Sequence, residues 1–219
     1  ADGTPFIRSG LRLARWCVEG PDAGGITVGL VGLDLGGMAQ DHPVTAVNDL
    51  GAELLVMAEC GHGFRSQRWE AENWLGHRYP FKVISFVELM AEYIQSGRIH
   101  LDASVNKKHV TYHDPCHLKK SLGVASQPRS LLQANPGYRF KEMVEADRCC
   151  GMGGSFNLQH YDISAAVGKR KRDHIVQSQC EVVATSCPAC MMHISDMLSQ
   201  AGDRVRVKHA IEVYAESLI

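Results

Sequence analysis

Five of the eight cysteines fall into a pattern that suits metal chemistry. Cys116 is followed after 32 residues by the adjacent pair Cys149-Cys150 with Gly151, and after 35 more by Cys187-Pro188-Ala189-Cys190. Thiolates are soft donors, and no carboxylate stands in the pattern, so zinc or iron–sulfur is selected over hard cations. Two thiolates at the spacing of Cys187 and Cys190 grip one metal or one cluster. The adjacent pair is the unusual element. Neighbouring side chains diverge, which suits two corners of one tetrahedral zinc poorly and two irons of a polynuclear cluster better. Gly151, Gly153 and Gly154 follow the pair and let the backbone approach a bulky group closely.

Such a pattern needs elements that carry three distant segments to one place. Short β-branched runs supply them: 26–31, 53–57, 81–84, 109–112, 181–185 and 205–207 read as strands. The near-continuous apolar runs among them suit strands buried on both faces. Between them lie amphipathic stretches. Ser85 to Ser96 carries Phe86, Leu89, Met90, Tyr93 and Ile94 on one face, with Ser85 and Glu88 as a capping box and Gly97 as the stop. Alternating strands and helices predict an α/β fold with parallel sheets. Cys116 and Cys187 each follow a strand end, and sites in parallel sheets assemble at the carboxyl ends of strands. Pro188 suits the first turn of a helix, where free N–H groups and the helix dipole favour thiolates.

A faint duplication runs through the chain. Leu54 to Cys60 matches Val182 to Cys187 in type, and Val87 to Glu92 matches Ile211 to Glu216. The offsets from the cysteine to Glu88 and to Glu212 are 28 and 25 residues. The expected architecture is two pseudo-duplicated α/β halves, with a linker across 102–108. Residues 1–101 form a degenerate first half, and 109–219 the half that carries the cysteines. Gly63 occupies the place of Cys190 in the first half, and no adjacent cysteine pair precedes Cys60.

Composition excludes several function classes. The chain has 219 residues, 23 Lys and Arg against 24 Asp and Glu, and a net charge of -1, which gives no reason for a nucleic-acid or anionic-membrane partner. No apolar run approaches the roughly 20 residues of a membrane span, and no secretory signal is present. The length supports a core without disulfide staples, so reduced cysteines in a cytoplasmic setting are expected. The sequence opens at Ala1 rather than Met, and reads as a piece of something longer.

Cys116, Cys149-Cys150-Gly151 and Cys187-x-x-Cys190 together resemble the cysteine-rich CCG domain. That family includes the catalytic B or D subunit of heterodisulfide reductases and the iron–sulfur subunits of glycolate, lactate and glycerol-3-phosphate oxidoreductases. It also includes the cytoplasmic iron–sulfur subunit of the sulfite-reductase-associated membrane complex. The motif spans residues 109 to about 200, and a weaker resemblance reaches back through Glu59-Cys60-Gly61-His62-Gly63. The resemblance implies one non-cubane [4Fe-4S] cluster held by Cys116, Cys149, Cys150, Cys187 and Cys190. Heterodisulfide reductases set two such modules face to face; the first half here lacks the motif, so the single-motif arrangement resembles the membrane-complex subunit instead. The ferredoxin-like domain that precedes the module there has no counterpart in residues 1–100, which hold no closely spaced run of four cysteines.

The function implied is an iron–sulfur oxidoreductase subunit of heterodisulfide-reductase type, exchanging electrons with a thiol/disulfide partner. The first alternative is the electron-transfer subunit of a flavin-dependent lactate or glycolate oxidoreductase, which Cys150-Gly151-Met152-Gly153-Gly154-Ser155-Phe156 resembles. A structural zinc module is the alternative from another class. The implied partners are a ferredoxin-like, flavoprotein or membrane quinone-reactive subunit and a thiol-carrying protein or disulfide substrate. The implied location is the cytoplasm, with membrane association through partner subunits. His113 and His117 flank Cys116 and are candidate proton donors to a leaving thiolate; hydrogen bonding to the loop backbone is the competing expectation. Cys60 and His62 are candidates to lie near the cluster, or a relic. Cys180 is read as core and Cys17 as incidental. Lys169-Arg170-Lys171-Arg172 is read as a solvated helix face. Met191 and Met192 are read as core packing, and Trp69 and Trp74 as a partner surface or helix packing.

Overall fold

The apolar runs of the sequence become strands of two separate sheets. The computed structural model describes residues 6–8, 11–17, 27–32, 47–57, 61–99 and 108–217, with backbone alone before residue 47. The chain divides into two compact units, Ala1–Leu89 and Met90–Ile219.

In the first unit, β1 (Phe6–Arg8), β2 (Leu11–Cys17), β3 (Thr27–Gly32), β4 (Leu54–Met57) and β5 (Lys82–Ser85) lie side by side in chain order. β3, β4 and β5 are parallel, as the sequence predicts. β1 and β2 lie outside the sequence expectation, and their pairings, β1 with β2 and β2 with β3, are antiparallel. Only two residues separate β1 from β2, and nine separate β2 from β3. Both are too few for the dozen or more that a parallel crossover needs. The connection from β4 to β5 carries α1 (Gly61–Arg65), a π-helical turn at Ser66–Glu70 and α2 (Ala71–Leu75). After β5 comes α3 (Phe86–Gln95), opened by the expected capping box. Ser85 N donates to Glu88 Oε2 at 2.9 Å, and Glu88 N to Ser85 Oγ at 3.2 Å. Gly97, at φ 69°, ends it.

The second unit holds β6 (Lys108–His113), β7 (Tyr138–Phe140), β8 (Val182–Thr185) and β9 (Arg206–His209) in the order β7-β6-β8-β9, all parallel. β7, too short to show a period, is the strand of this sheet that the sequence does not reveal. The chain leaves β6 toward β7 on one side, then crosses to β8 on the other. In open parallel sheets ligands bind where the strand order reverses in this way, outside the carboxyl ends of the strands, here β6 and β8. The helices are α4 (Ser126–Ala134), α5 (Ser155–Gln159), α6 (Tyr161–Gln177), α7 (Pro188–Gln200) and α8 (Ala210–Ala215).

All four residues of β8 are buried, so both faces are covered. Val110, Tyr112, Val182 and Ala184 pack on one face with Leu132, Tyr138, Ala210 and Val213. Val183 points to the opposite face, with Met143, Ala146, Ile175, Ile194 and Leu198, and two of the motif cysteines, Cys150 and Cys190, complete that cluster. The half that carries the site therefore has one purely apolar face and one face into which sulfur is built.

β9 leads into α8 as β5 leads into α3, again through a capping box. His209 N donates to Glu212 Oε2 at 2.6 Å, and Ile211 N donates to His209 Nδ1 at 3.2 Å. Glu212→Ala removes one half of that box. Its expected cost is about 1 kcal/mol, read as a lowered urea midpoint with an unchanged slope.

Candidate metal centre

Two strand ends launch the site. β6 finishes at His113, and Asp114-Pro115 deliver Cys116 to a π-helical turn over His117–Ser121. β8 finishes at Thr185, and Cys187 follows in extended conformation as the residue before α7. Pro188 takes the first turn of α7, as the sequence predicts, and Cys190 sits one turn in, buried. The third segment is the loop before α5. It reaches the same edge because Asp114 N donates to Ala146 O at 3.0 Å, which fastens the end of β6 to the approach to Cys149-Cys150.

The structure joins Cys149, Cys150, Cys187 and Cys190 through thiol hydrogen bonds, with Cys116 acting on Cys149 through space. Cys150 and Cys190 are buried, and their sulfurs share a hydrogen bond at 3.3 Å. Cys149 is exposed and accepts from Gly151 N at 3.3 Å. Hydrogen bonds from Cys149 and Cys190 hold the Cys150 thiol far below its ordinary value, against the effect of burial. Donating those bonds pushes the Cys149 and Cys190 thiols up. Cys187 is pulled down to about 7, chiefly by its hydrogen bond with Cys190. Cys116 is exposed and acts electrostatically on Cys149.

His113 adds a nitrogen to this sulfur set. It is 1% exposed, and a ring nitrogen of His113 and the sulfurs of Cys150 and Cys190 all lie within 4.8 Å of one another. The expectation that it hydrogen-bonds to the loop backbone does not hold. Neither ring nitrogen has a nitrogen or oxygen partner, and the ring acts on the sulfur of Cys150. The hydroxyls of Thr111 and Thr185, on the same face by strand alternation, are also buried and unpaired. Leaving such groups unmatched costs about 1–3 kcal/mol each, so this edge of the sheet is polar and soft rather than an apolar core. The donor set fits an iron–sulfur cluster. Its atoms are thiol sulfurs from three segments with one imidazole, and the nearby carboxylate of Asp114 is already taken by Arg129 and Lys119.

The cysteine loop is held from behind by one stripe of α6. Ser164, Gly168, Lys171 and Ile175 are all buried, at the spacing of a single helix face. Ser164 Oγ donates to Gly151 O at 2.8 Å. Asn157 Nδ2 donates to Ser164 Oγ at 2.8 Å and lies 3.3 Å from His193 Nδ1, while His193 Nε2 lies 3.2 Å from Ser164 O. Gly151 is wedged among these groups at φ 100°. A Cβ there would collide with Ser164 O and stand 2.9 Å from His193 Nε2 and 3.0 Å from Gly168 N. Further along the stripe, Lys171 Nζ donates to Glu145 O at 2.6 Å and Ala146 O at 3.2 Å. Burial draws Lys171 down to about 8, opposed by Cys150, Asp147, Asp114 and Glu145.

Several expectations change. The basic run is a solvated face only in part: Lys169 and Arg170 are exposed, Arg172 pairs with Asp203, and Lys171 is fully buried. Met192 is 65% exposed, so it is not core, and Trp69 and Trp74 lie exposed rather than packed. His117 is half-buried beside Cys116, and Gly153 and Gly154 are exposed with positive φ before α5. Cys180 is core, as expected. His62 is exposed on α1 of the first unit. Cys60 lies outside the described residues, and for Cys17 only the strand backbone is described. Sequence reasoning misses Ser164, Lys171, His193 and the Asp114–Arg129 pair. A helical plot of residues 161–177 would have shown Lys171 on the face of Ser164, Gly168 and Ile175.

Residues 110–195 match the family profile described as a cysteine-rich domain, CCG. The chain is 33% identical over 180 residues to the D subunit of the dihydromethanophenazine:CoB--CoM heterodisulfide reductase of Methanosarcina barkeri, covering 81% of this chain and 44% of that protein. It is 36% identical over 200 residues to an uncharacterized iron–sulfur protein of Methanococcus maripaludis, covering 90% and 34%. It is 34% identical over 110 residues to "Lactate utilization protein A" of Oceanobacillus iheyensis, covering 50% and 45%. The chain thus spans less than half the length of each of these relatives.

Two substitutions test how the loops are held. Gly151→Ala should destabilise the second unit, by about 1–3 kcal/mol for the strained backbone and about 1–3 kcal/mol for overpacking, measured by chemical denaturation. Arg129 Nη1 and Nη2 each donate to Asp114 at 2.8 Å, and the Asp114 carboxylate is fully buried. Burial alone would raise its pKa, but hydrogen bonds from Arg129 and Lys119 bring it below 3.8. Arg129→Met should therefore cost about 3 kcal/mol near neutral pH. A carboxylate held below its ordinary value contributes stability that is full above that ordinary value and is lost as pH falls through the lowered one. The difference between parent and variant should accordingly shrink in acid, as followed by denaturation at several pH values.

Proposed function

Because residues 110–195 form a cysteine-rich domain of the CCG family, we propose that the chain is the cluster-bearing part of an iron–sulfur redox subunit of heterodisulfide-reductase type. Cys116, Cys149, Cys150, Cys187 and Cys190 would hold one non-cubane [4Fe-4S] cluster, and 109–219 is the domain that binds it. When bound, the cluster supplies one-electron exchange with a thiol/disulfide partner. What supports this reading is the thiol contact of Cys149, Cys150, Cys187 and Cys190 beyond the ends of β6 and β8, with Cys116 acting on Cys149 and the adjacent pair split between a buried and an exposed member.

The chain's own residues divide the work. Cys150 and Cys190 anchor the buried side, while Cys116 and Cys149 border solvent and leave a face that a substrate reaches. Gly151, Gly153 and Gly154 bring backbone rather than side chains up to that face. His113, buried beside two sulfurs, and His117, next to Cys116, hold protons for a thiolate as it leaves. Residues 1–101 are the degenerate half in this reading. Among the described residues no helix is long and apolar enough to cross a membrane. We place the protein in the cytoplasm, partnered by ferredoxin-like, flavoprotein or membrane quinone-reactive subunits.

The relative named for lactate utilization supports a second reading, electron transfer within a flavin-dependent 2-hydroxyacid oxidoreductase. Anaerobic purification should yield iron and sulfide in equal amounts, and zinc without sulfide would sink both readings. The EPR spectrum of the oxidised protein should change on adding a small thiol. A spectrum that ignores thiol favours the second reading. Cys150→Ser should lose or distort the cluster, and an unchanged spectrum would remove Cys150 from the ligand set.

A further inference from the structure

The basic run of α6 conceals a residue of different character from its neighbours. Lys171 is 0% exposed, whereas Lys169 and Arg170 face solvent. Lysine is almost never fully buried without a charged partner, yet Lys171 pairs with no carboxylate among the described residues. Its ammonium donates instead to two backbone carbonyls, Glu145 O at 2.6 Å and Ala146 O at 3.2 Å. Both precede the adjacent cysteines by only a few residues.

Two features show that this arrangement is imposed. Glu145 is one of two non-glycine residues with positive φ among those described, at 50°. Such a conformation persists only where its surroundings over-determine it, and here the Glu145 carbonyl is aimed at Lys171. Ala146 O accepts from Asp114 N as well as from Lys171, so the ammonium also touches the hinge between β6 and the cysteine loop.

The charge on Lys171 needs an interior counterpart. Burial works against it, and the negative groups that act on it are, in order, Cys150, Asp147, Asp114 and Glu145. The carboxylates have nearer cations. Asp114 is held by Arg129 and Lys119, Asp147 by Lys119 at 3.7 Å, and Glu145 by Arg148 at 2.9 Å. That leaves Lys171 as a fully buried ammonium with no carboxylate of its own, set behind the loop that delivers Cys149-Cys150.

We infer that Lys171 is a positioning residue that clamps the loop leading into Cys149-Cys150 and compensates the charge of the metal centre, favouring its reduced form. The inference rests on the cluster reading above. A buried cation stabilises whichever state carries more negative charge, and a low local dielectric strengthens the effect. Net charge around a cluster is among the factors that set its potential.

The test uses the full chain, purified anaerobically, as parent protein, Lys171→Met and Lys171→Arg. Iron and sulfide are assayed, and the midpoint potential is read by EPR-monitored redox titration. Lys171→Met keeps nearly the length of the side chain without its charge. It should retain the cluster while its reduction becomes about tenfold less favourable, a midpoint about 59 mV lower for a one-electron couple. Lys171→Arg should keep the parent's midpoint. A Lys171→Met midpoint equal to the parent's would overturn the charge role and leave a structural prop. If Lys171→Met loads no cluster but Lys171→Arg does, the need for charge is upheld. If neither loads, lysine's shape is what matters and charge compensation fails. A parent protein without iron and sulfide would overturn the cluster reading itself, which the parent control shows separately.

Discussion

The parallel pairing of β6 with β8 is the constraint on which the site depends. It sets His113 beside Thr185 in register, so the chain leaves both strands at the same edge, with Cys116 three residues beyond one and Cys187 two beyond the other. The crossover after β7 puts nothing between those two exits. A slip of one residue would turn His113, Thr111 and Val183 to the opposite face. Register and chemistry are therefore one specification, enforced by the apolar face of Val110, Tyr112, Val182 and Ala184.

Around that edge the molecule places its polar groups in a consistent order. The buried carboxylate at the end of β6, Asp114, is neutralised by Arg129 and Lys119 and so withdrawn from metal chemistry. What remains buried there is soft or short of polar partners: the sulfurs of Cys150 and Cys190, the imidazole of His113 and the hydroxyls of Thr111 and Thr185. Behind the loop, α6 offers a hydroxyl, a glycine, an ammonium and a branched apolar side chain in sequence along one stripe. Each meets a different need of the segment it supports: a carbonyl to satisfy, a close approach to permit, a strained turn to hold and a core to fill.

The parallel strands and the five cysteines are legible in the sequence because both rest on local signals. β-branched runs reveal buried strands, and thiol spacing survives without knowledge of the fold. The capping boxes at Ser85 and His209 belong to the same class, although only the first stands out from the residues alone. What escapes is of two kinds. β1 and β2 pair antiparallel because their connections are short, and β1 and β7 have three residues each, too few to show a period. Lys171 escapes because its neighbours Lys169, Arg170 and Arg172 drown its signal, and burial of a cation depends on the carbonyls that meet it from another segment. His113 shows the same limit: its place beside Cys116 is plain, but its isolation from every backbone acceptor exists only in three dimensions.

The single stripe on α6 makes that helix a ruler. Ser164 and Lys171 grip the cysteine loop at two points seven residues apart, on opposite sides of Gly168. One residue inserted between them would turn everything beyond it by about 100° around the axis, so only one of the two grips could be kept. Over evolutionary time the spacing along α6 should therefore be harder to change than its outer surface, and length variation should collect in the connections at the amino ends of the strands, far from the sulfurs.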